Sequence, residues 1–169
     1  TNVSNGITVV GGKLENVSGS GDTYTITASA EEQTTVSIVL SDAIRDQSPN
    51  MNKFAGQTLT YTIGDFTKPH LIYWNPNNET IQNNHPLFNL SFSENVKLGS
   101  GGLLKVCKVG TSTSTLNIPI TSAMISGKNI NVGYSSTQNG LNKNTWYYVI
   151  LDNQALTDLA GNSFDGITD

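Results

Sequence analysis

The sequence predicts an all-β protein built from two tandem sandwiches, and three observations carry that prediction. Charged residues are only 13% of the 169-residue chain, whereas Thr, Ser, Asn and Gly abound; a helical chain would be rich in Glu, Lys, Leu and Ala. β-Branched residues fall in short runs split by Gly and Asn, the pattern of strands and turns. An eight-residue pattern also occurs twice, each time after a strand-like run. Ala43-Ile44-Arg45-Asp46-Gln47-Ser48-Pro49-Asn50 follows residues 36–40, and Ala155-Leu156-Thr157-Asp158-Leu159-Ala160-Gly161-Asn162 follows residues 148–151. Alanine, aspartate and asparagine recur 112 positions apart in the two copies. A strand-plus-loop unit repeated at fixed offset predicts two copies of one kind of domain.

Each element follows from local pattern. Residues 7–10 form a short strand ending at Gly11-Gly12, and residues 13–17 form a second, before a turn over 18–22. Residues 23–27 alternate with Tyr24 and Ile26 inward and threonines outward. Residues 35–40 place Val36, Ile38 and Leu40 on one face, and residues 58–63 close the unit. Gly64, Pro69 and the polar step between them mark a boundary, because Pro69 biases Lys68 toward an extended backbone. Beyond it come strands over 70–74, 87–92 (Phe88, Leu90 and Phe92 on one face), 103–109, 116–120, 123–125 and 129–134. Residues 145–151 are apolar on both faces and are expected to form a central strand, with Trp146 packed in the core.

A complete sandwich of the immunoglobulin type takes about 100 residues. Residues 67–169 match that size with seven or so strands; residues 1–66 hold about five and are expected to lack the first strands of the fold. The missing part is expected in a longer parent chain, or from a partner that donates a strand.

The residues also carry a family resemblance. Trp74-Asn75-Pro76-Asn77-Asn78, Leu90-Ser91-Phe92-Ser93-Glu94-Asn95-Val96 and the loop ending Gly161-Asn162 resemble the bacterial Ig-like domains of S-layer and other surface proteins. Val17-Ser18-Gly19-Ser20-Gly21-Asp22-Thr23-Tyr24-Thr25 and the Asp46 loop are similar to the Ig-like repeats of large adhesins. Ser48-Pro49-Asn50 departs from the family's Ala-Gly-Asn, so the first loop is expected to bend differently. The resemblance implies two tandem Ig-like sandwiches in an extracellular or cell-surface protein. It also draws attention to Asp65, since some such repeats stiffen their junctions with calcium.

Chemistry is sparse. Asp46, Asn50, Asp158, Gly161 and Asn162 are expected to build loop corners: Asp and Asn side chains bond nearby amides, Gly161 supplies a positive φ, and Asn tolerates the left-handed region. Asp65 and Pro69 are expected to hold the junction. No metal or other cofactor is expected. Asp65, Asp46 and Asp158 come nearest to a calcium site, but each cluster offers two carboxylates where Ca²⁺ takes six to eight oxygens. His70 and His85 lack zinc spacing. No nucleophile elbow or glycosidase pair is visible, so no enzyme is expected. Net charge is −4, with no basic face for nucleic acid. No apolar run reaches the roughly 20 residues that span a bilayer. Cys107, the only cysteine, is expected to be a small buried residue. Sequons at Asn2, Asn16, Asn78 and Asn89 would carry glycans in a secretory eukaryote.

The expected role is a non-catalytic spacer in a stalk, adhesin or filament array, contacting neighbouring Ig-like domains of the same or another chain. The alternatives are an adhesive domain binding glycan or protein through its loops, and a filament subunit completed by a donated strand. Exposed aromatics around Trp74 would favour adhesion; their burial would favour the spacer.

Overall fold

The computed structural model describes residues 3–77, 83–133 and 140–168. It is all-β, with helical turns limited to short 3-10 segments at Val3–Gly6 and Ser122–Met124. The chain divides into two compact units, residues 1–65 and 66–169. No helix among the described residues is long and apolar enough to cross a membrane.

Unit 1 contains β1 (Ile7–Val10), β2 (Lys13–Ser20), β3 (Thr23–Ser29), β4 (Thr35–Leu40) and β5 (Gln57–Thr62). β1, β4 and β5 form one antiparallel sheet, and β2 and β3 form a hairpin. Strand β2 runs three residues further than its pattern indicates, to Ser20 opposite Thr23. The turn therefore shrinks to Gly21-Asp22, with Gly21 at φ +66°, where glycine meets little steric cost. Strand alternation holds on β4. Val36 and Ile38 are buried, while Thr35 and Ser37 bond Thr62 and Thr60 across the outer face at 3.1 Å each. Leu59 and Tyr61 lie opposite Ile38 and Val36 on the inner face, yet both are exposed. The inner face of unit 1 is thus only partly covered.

Unit 2 contains β6 (Leu71–Asn75), β7 (Phe88–Phe92), β8 (Val96–Leu98), β9 (Leu103–Lys108), β10 (Ser114–Pro119), β11 (Ile125–Ser126), β12 (Asn129–Val132), β13 (Tyr147–Leu151) and β14 (Leu156–Asp158). Sheet β10-β9-β13 and sheet β11-β12-β7-β6 enclose one core, and β14 pairs with β8. Phe88, Leu90 and Phe92 face that core together with Ile130 and Val132; Leu104, Val106, Ile118 and Leu151 meet them from the other sheet. Each such side chain contributes about 1.5–3 kcal/mol on full burial, which makes this core the main source of unit 2's stability.

Two expectations are corrected here. β13 is an edge strand of its three-stranded sheet, touched on its free side by a single bridge from Leu151 to Ile167 among the described residues. Trp146 is 68% exposed. Side chains alternate along β13, and Tyr147, Val149 and Leu151 take the core side, so Trp146 belongs to the outer face with Tyr148. The apolar character of that outer face has a local cause: Tyr148 lies opposite Cys107, which is buried as a free thiol but stands outside the main core cluster.

Candidate functional site

The repeated loop builds a hydrogen-bonded corner in each unit. In unit 2, β14 delivers Asp158 to a position with 0% exposure. Its Oδ1 accepts the backbone amides of Gly161 and Asn162 at 2.6 and 2.7 Å, and its Oδ2 accepts Asn162 Nδ2 at 2.7 Å. Gly161 sits at φ +105°, the conformation expected of it. The Asp158 amide in turn donates to the Asn162 carbonyl at 3.0 Å. Asn162 Nδ2 also reaches the Thr67 carbonyl, and Lys97 Nζ donates to the Leu159 carbonyl at 3.1 Å. Phe164, two residues on, bonds back to the Leu156 carbonyl and packs edge-on against Phe92 at 5.1 Å, which ties the corner to the core.

Burial pushes the Asp158 carboxyl up, but the Asn162 side chain and the amides of Asn162, Gly161 and Ala160 outweigh it. The net direction is down from the ordinary 3.8. No buried side-chain polar atom among the described residues lacks a partner.

Unit 1 reproduces this scheme with one change. Asp46 Oδ1 accepts the amides of Ser48 and Asn52 at 3.2 and 2.9 Å, and Oδ2 accepts Asn52 Nδ2 at 2.9 Å. The Asp46 amide donates to the Asn52 carbonyl, and the Phe54 amide to the Ile44 carbonyl. Bridges Arg45↔Lys53 and Thr157↔Ser163 occupy equivalent places. Asn52, rather than Asn50, therefore fills the role of Asn162, and the first loop is two residues longer. Asn50 takes no part in the ring. The residue with positive φ in the first corner is Met51, at +47°, and in the second it is Gly161; neither Asn50 nor Asn162 adopts that region. Asp46 is exposed, and its carboxyl is held below 3.8 chiefly by the Ser48 hydroxyl and then the Asn52 amide.

The remaining residues fall as follows. Asp65 accepts Gln33 Nε2 at 2.8 Å, inside unit 1. Pro69 is buried, and its neighbour Lys68 pairs with Asp165 at 2.6 Å, inside unit 2. Of the calcium candidates, Asp46 and Asp158 commit both carboxylate oxygens to their own corners. Glu94, which the sequence reading passed over, brings a carboxylate oxygen within 4.8 Å of one on Asp158. Asn16 is exposed on β2; Asn89 is half-buried on β7, between β6 and β12. Asn2 and Asn78 lie outside the described residues. Tyr73 and Trp74 are both exposed on β6, the edge of its sheet, with Trp74 45% accessible although it faces the core side opposite Leu90.

A two-sheet sandwich with an Asp–Gly–Asn corner closed around a buried aspartate, after its last long strand, is the geometry of unit 2. Residues 65–169 match the family model described as bacterial Ig-like domain. The chain belongs to the bacterial Ig-like domain family. No curated protein and no solved structure matches the chain. Bacterial Ig-like domains are generally non-catalytic structural modules and typically occur in surface or extracellular proteins. The corner of this Ig-like domain suits such a module: the Asp158 carboxylate binds the backbone and side chain of its own loop.

Proposed function

We propose that the chain is a mechanical module, two successive Ig-like domains that space and stiffen a larger extracellular or cell-surface protein. The observation that carries this reading is the shared corner. Asp46 with Asn52, and Asp158 with Asn162, use every carboxylate oxygen to close a loop on itself. Such loops hold shape and leave little for chemistry. The partners on this reading are neighbouring Ig-like domains. No metal or cofactor is assigned to either corner, so calcium is expected to move the melting temperature by no more than a few degrees. A large shift abolished by Asp65→Ala would count against that assignment.

Single-molecule stretching tests the reading. Two unfolding events are expected, gaining roughly 200 Å and roughly 350 Å of chain at about 3.3–3.6 Å per residue. One event spanning the whole chain would contradict it.

Adhesion is the second reading, and the exposure of Tyr73 and Trp74 favours it. Binding of the chain to a glycan array that disappears with Trp74→Ala would establish adhesion; binding unchanged by that substitution would remove this support. Completion of unit 1 by a donated strand would instead appear as concentration-dependent assembly in sedimentation.

A further inference from the structure

Unit 1 has an open surface groove of about 560 Å³ between the β2–β3 turn and the Asp46 corner. Asp22 and Tyr24 line one side; Arg45, Gln47, Lys53 and Phe54 line the other. Its size lies within the roughly 300–1,000 Å³ of small-molecule sites.

Arg45 is the only arginine in the chain. Its Nη1 donates to the Met51 carbonyl at 3.1 Å, which orients the guanidinium. Lys53 pairs with Asp42 at 2.9 Å, but Arg45 forms no ion pair among the described residues. A fixed guanidinium with donors to spare takes a carboxylate in bidentate fashion.

The second corner serves as an internal control. Thr157 and Ser163 stand where Arg45 and Lys53 stand, and the same backbone bridge forms. The backbone bridge therefore does not require these cations: Lys53 pairs with Asp42, and Arg45 braces the longer first loop at Met51 through one nitrogen, with further N–H donors beside the groove. Tyr24 and Phe54 add ring faces, while Asp22 and Gln47 add groups that pair with hydroxyls. Asp22 and Asp46 repel any anion, a doubly charged phosphate about twice as strongly as a singly charged carboxylate, which one guanidinium can pair.

We infer that this groove binds a saccharide bearing a carboxylate. Arg45 grips the carboxylate, an aromatic ring packs against the sugar face, and Asp22 and Gln47 take hydroxyls. The site is independent of whether the whole chain acts as spacer or adhesin.

The test is NMR titration of the intact chain with methyl glucuronide, using methyl glucoside and acetate as controls. Saturable millimolar shifts are expected at residues 22–24, 44–47 and 53–54, with both controls at least about tenfold weaker, a difference of about 1.4 kcal/mol. Arg45→Lys, which keeps the charge and loses the fork, is expected to weaken binding about tenfold while the amide spectrum stays that of the folded chain. Tyr24→Leu, outside the Asp46 corner, is expected to weaken it severalfold. No saturable shift at about 50 mM glucuronide would overturn the inference, since binding that weak lies beyond the millimolar range. So would an equal response to acetate (simple anion binding), an equal response to the glucoside, or full affinity in both variants.

Discussion

Asp46 and Asp158 hold the same place in two corners with the same hydrogen-bond pattern, yet Asp46 faces solvent and Asp158 is completely buried. The difference lies in what the corner rests on. Phe164 fixes the second corner on Phe92 and the core of unit 2, whereas its counterpart Phe54 is exposed in unit 1.

That contrast predicts unequal costs. Asp158→Ala leaves the Gly161 and Asn162 amides without their acceptor at a part-buried corner, while Asn162 Nδ2 keeps the Thr67 carbonyl. It should destabilise unit 2 by about 3 kcal/mol, because each unpaired buried group costs about 1–3 kcal/mol. For a domain of this size the shift is roughly 10–20 °C in melting temperature. Asp46→Ala, whose partners can turn to water, should lower the unit 1 transition far less. Calorimetry of both variants decides, and equal shifts would refute the burial argument.

Acid should find the same corner. Asp158 is held below 3.8 by its hydrogen bonds, and Asp152 by the Lys105 ammonium. A carboxyl whose folded pKa is depressed contributes stability above the unfolded value and loses it as pH falls through the folded one. Unit 2 should therefore be nearly constant in stability from pH 7 to about pH 5, and weaken below about pH 4. Asp158→Asn should flatten that acid limb in denaturant titrations at several pH values. An unchanged limb would place the proton uptake elsewhere.

Trp146 stands on the outer face, so Trp146→Ser should change stability by no more than about 0.5 kcal/mol, the usual range for surface sites. Its fluorescence should be readily quenched by iodide. A loss of several kcal/mol or a shielded indole would restore the core position that its sequence context suggested.

Much of this fold was legible in residue pattern. The alternation of Phe88, Leu90 and Phe92 marked a half-buried strand, and Asp158, Gly161 and Asn162 marked a turn that bonds to itself. β13 misled because apolar residues on both faces usually mean a central strand. Here Tyr148 stands opposite Cys107 of the central strand β9 on the outer face, while β13 itself is the edge. Asn50 misled because a fixed 112-residue offset ignores an insertion. The signal for Asn52 was present downstream: Asn52-Lys53-Phe54-Ala55-Gly56 parallels Asn162-Ser163-Phe164-Asp165-Gly166, with both glycines at positive φ. The Arg45 groove had no linear signature, because its walls come from two separate turns.

The claim that both units close the same corner is tested most directly by removing one asparagine at a time from unit 1. The Phe54 amide, bonded to the Ile44 carbonyl at 2.9 Å, reports on the closed loop through its hydrogen exchange. Asn52→Ala should speed that exchange at least about tenfold, as loss of roughly 1.4 kcal/mol of local stability requires, and Asn50→Ala should leave it unchanged. Fast exchange in Asn50→Ala with a protected amide in Asn52→Ala would contradict the shared corner.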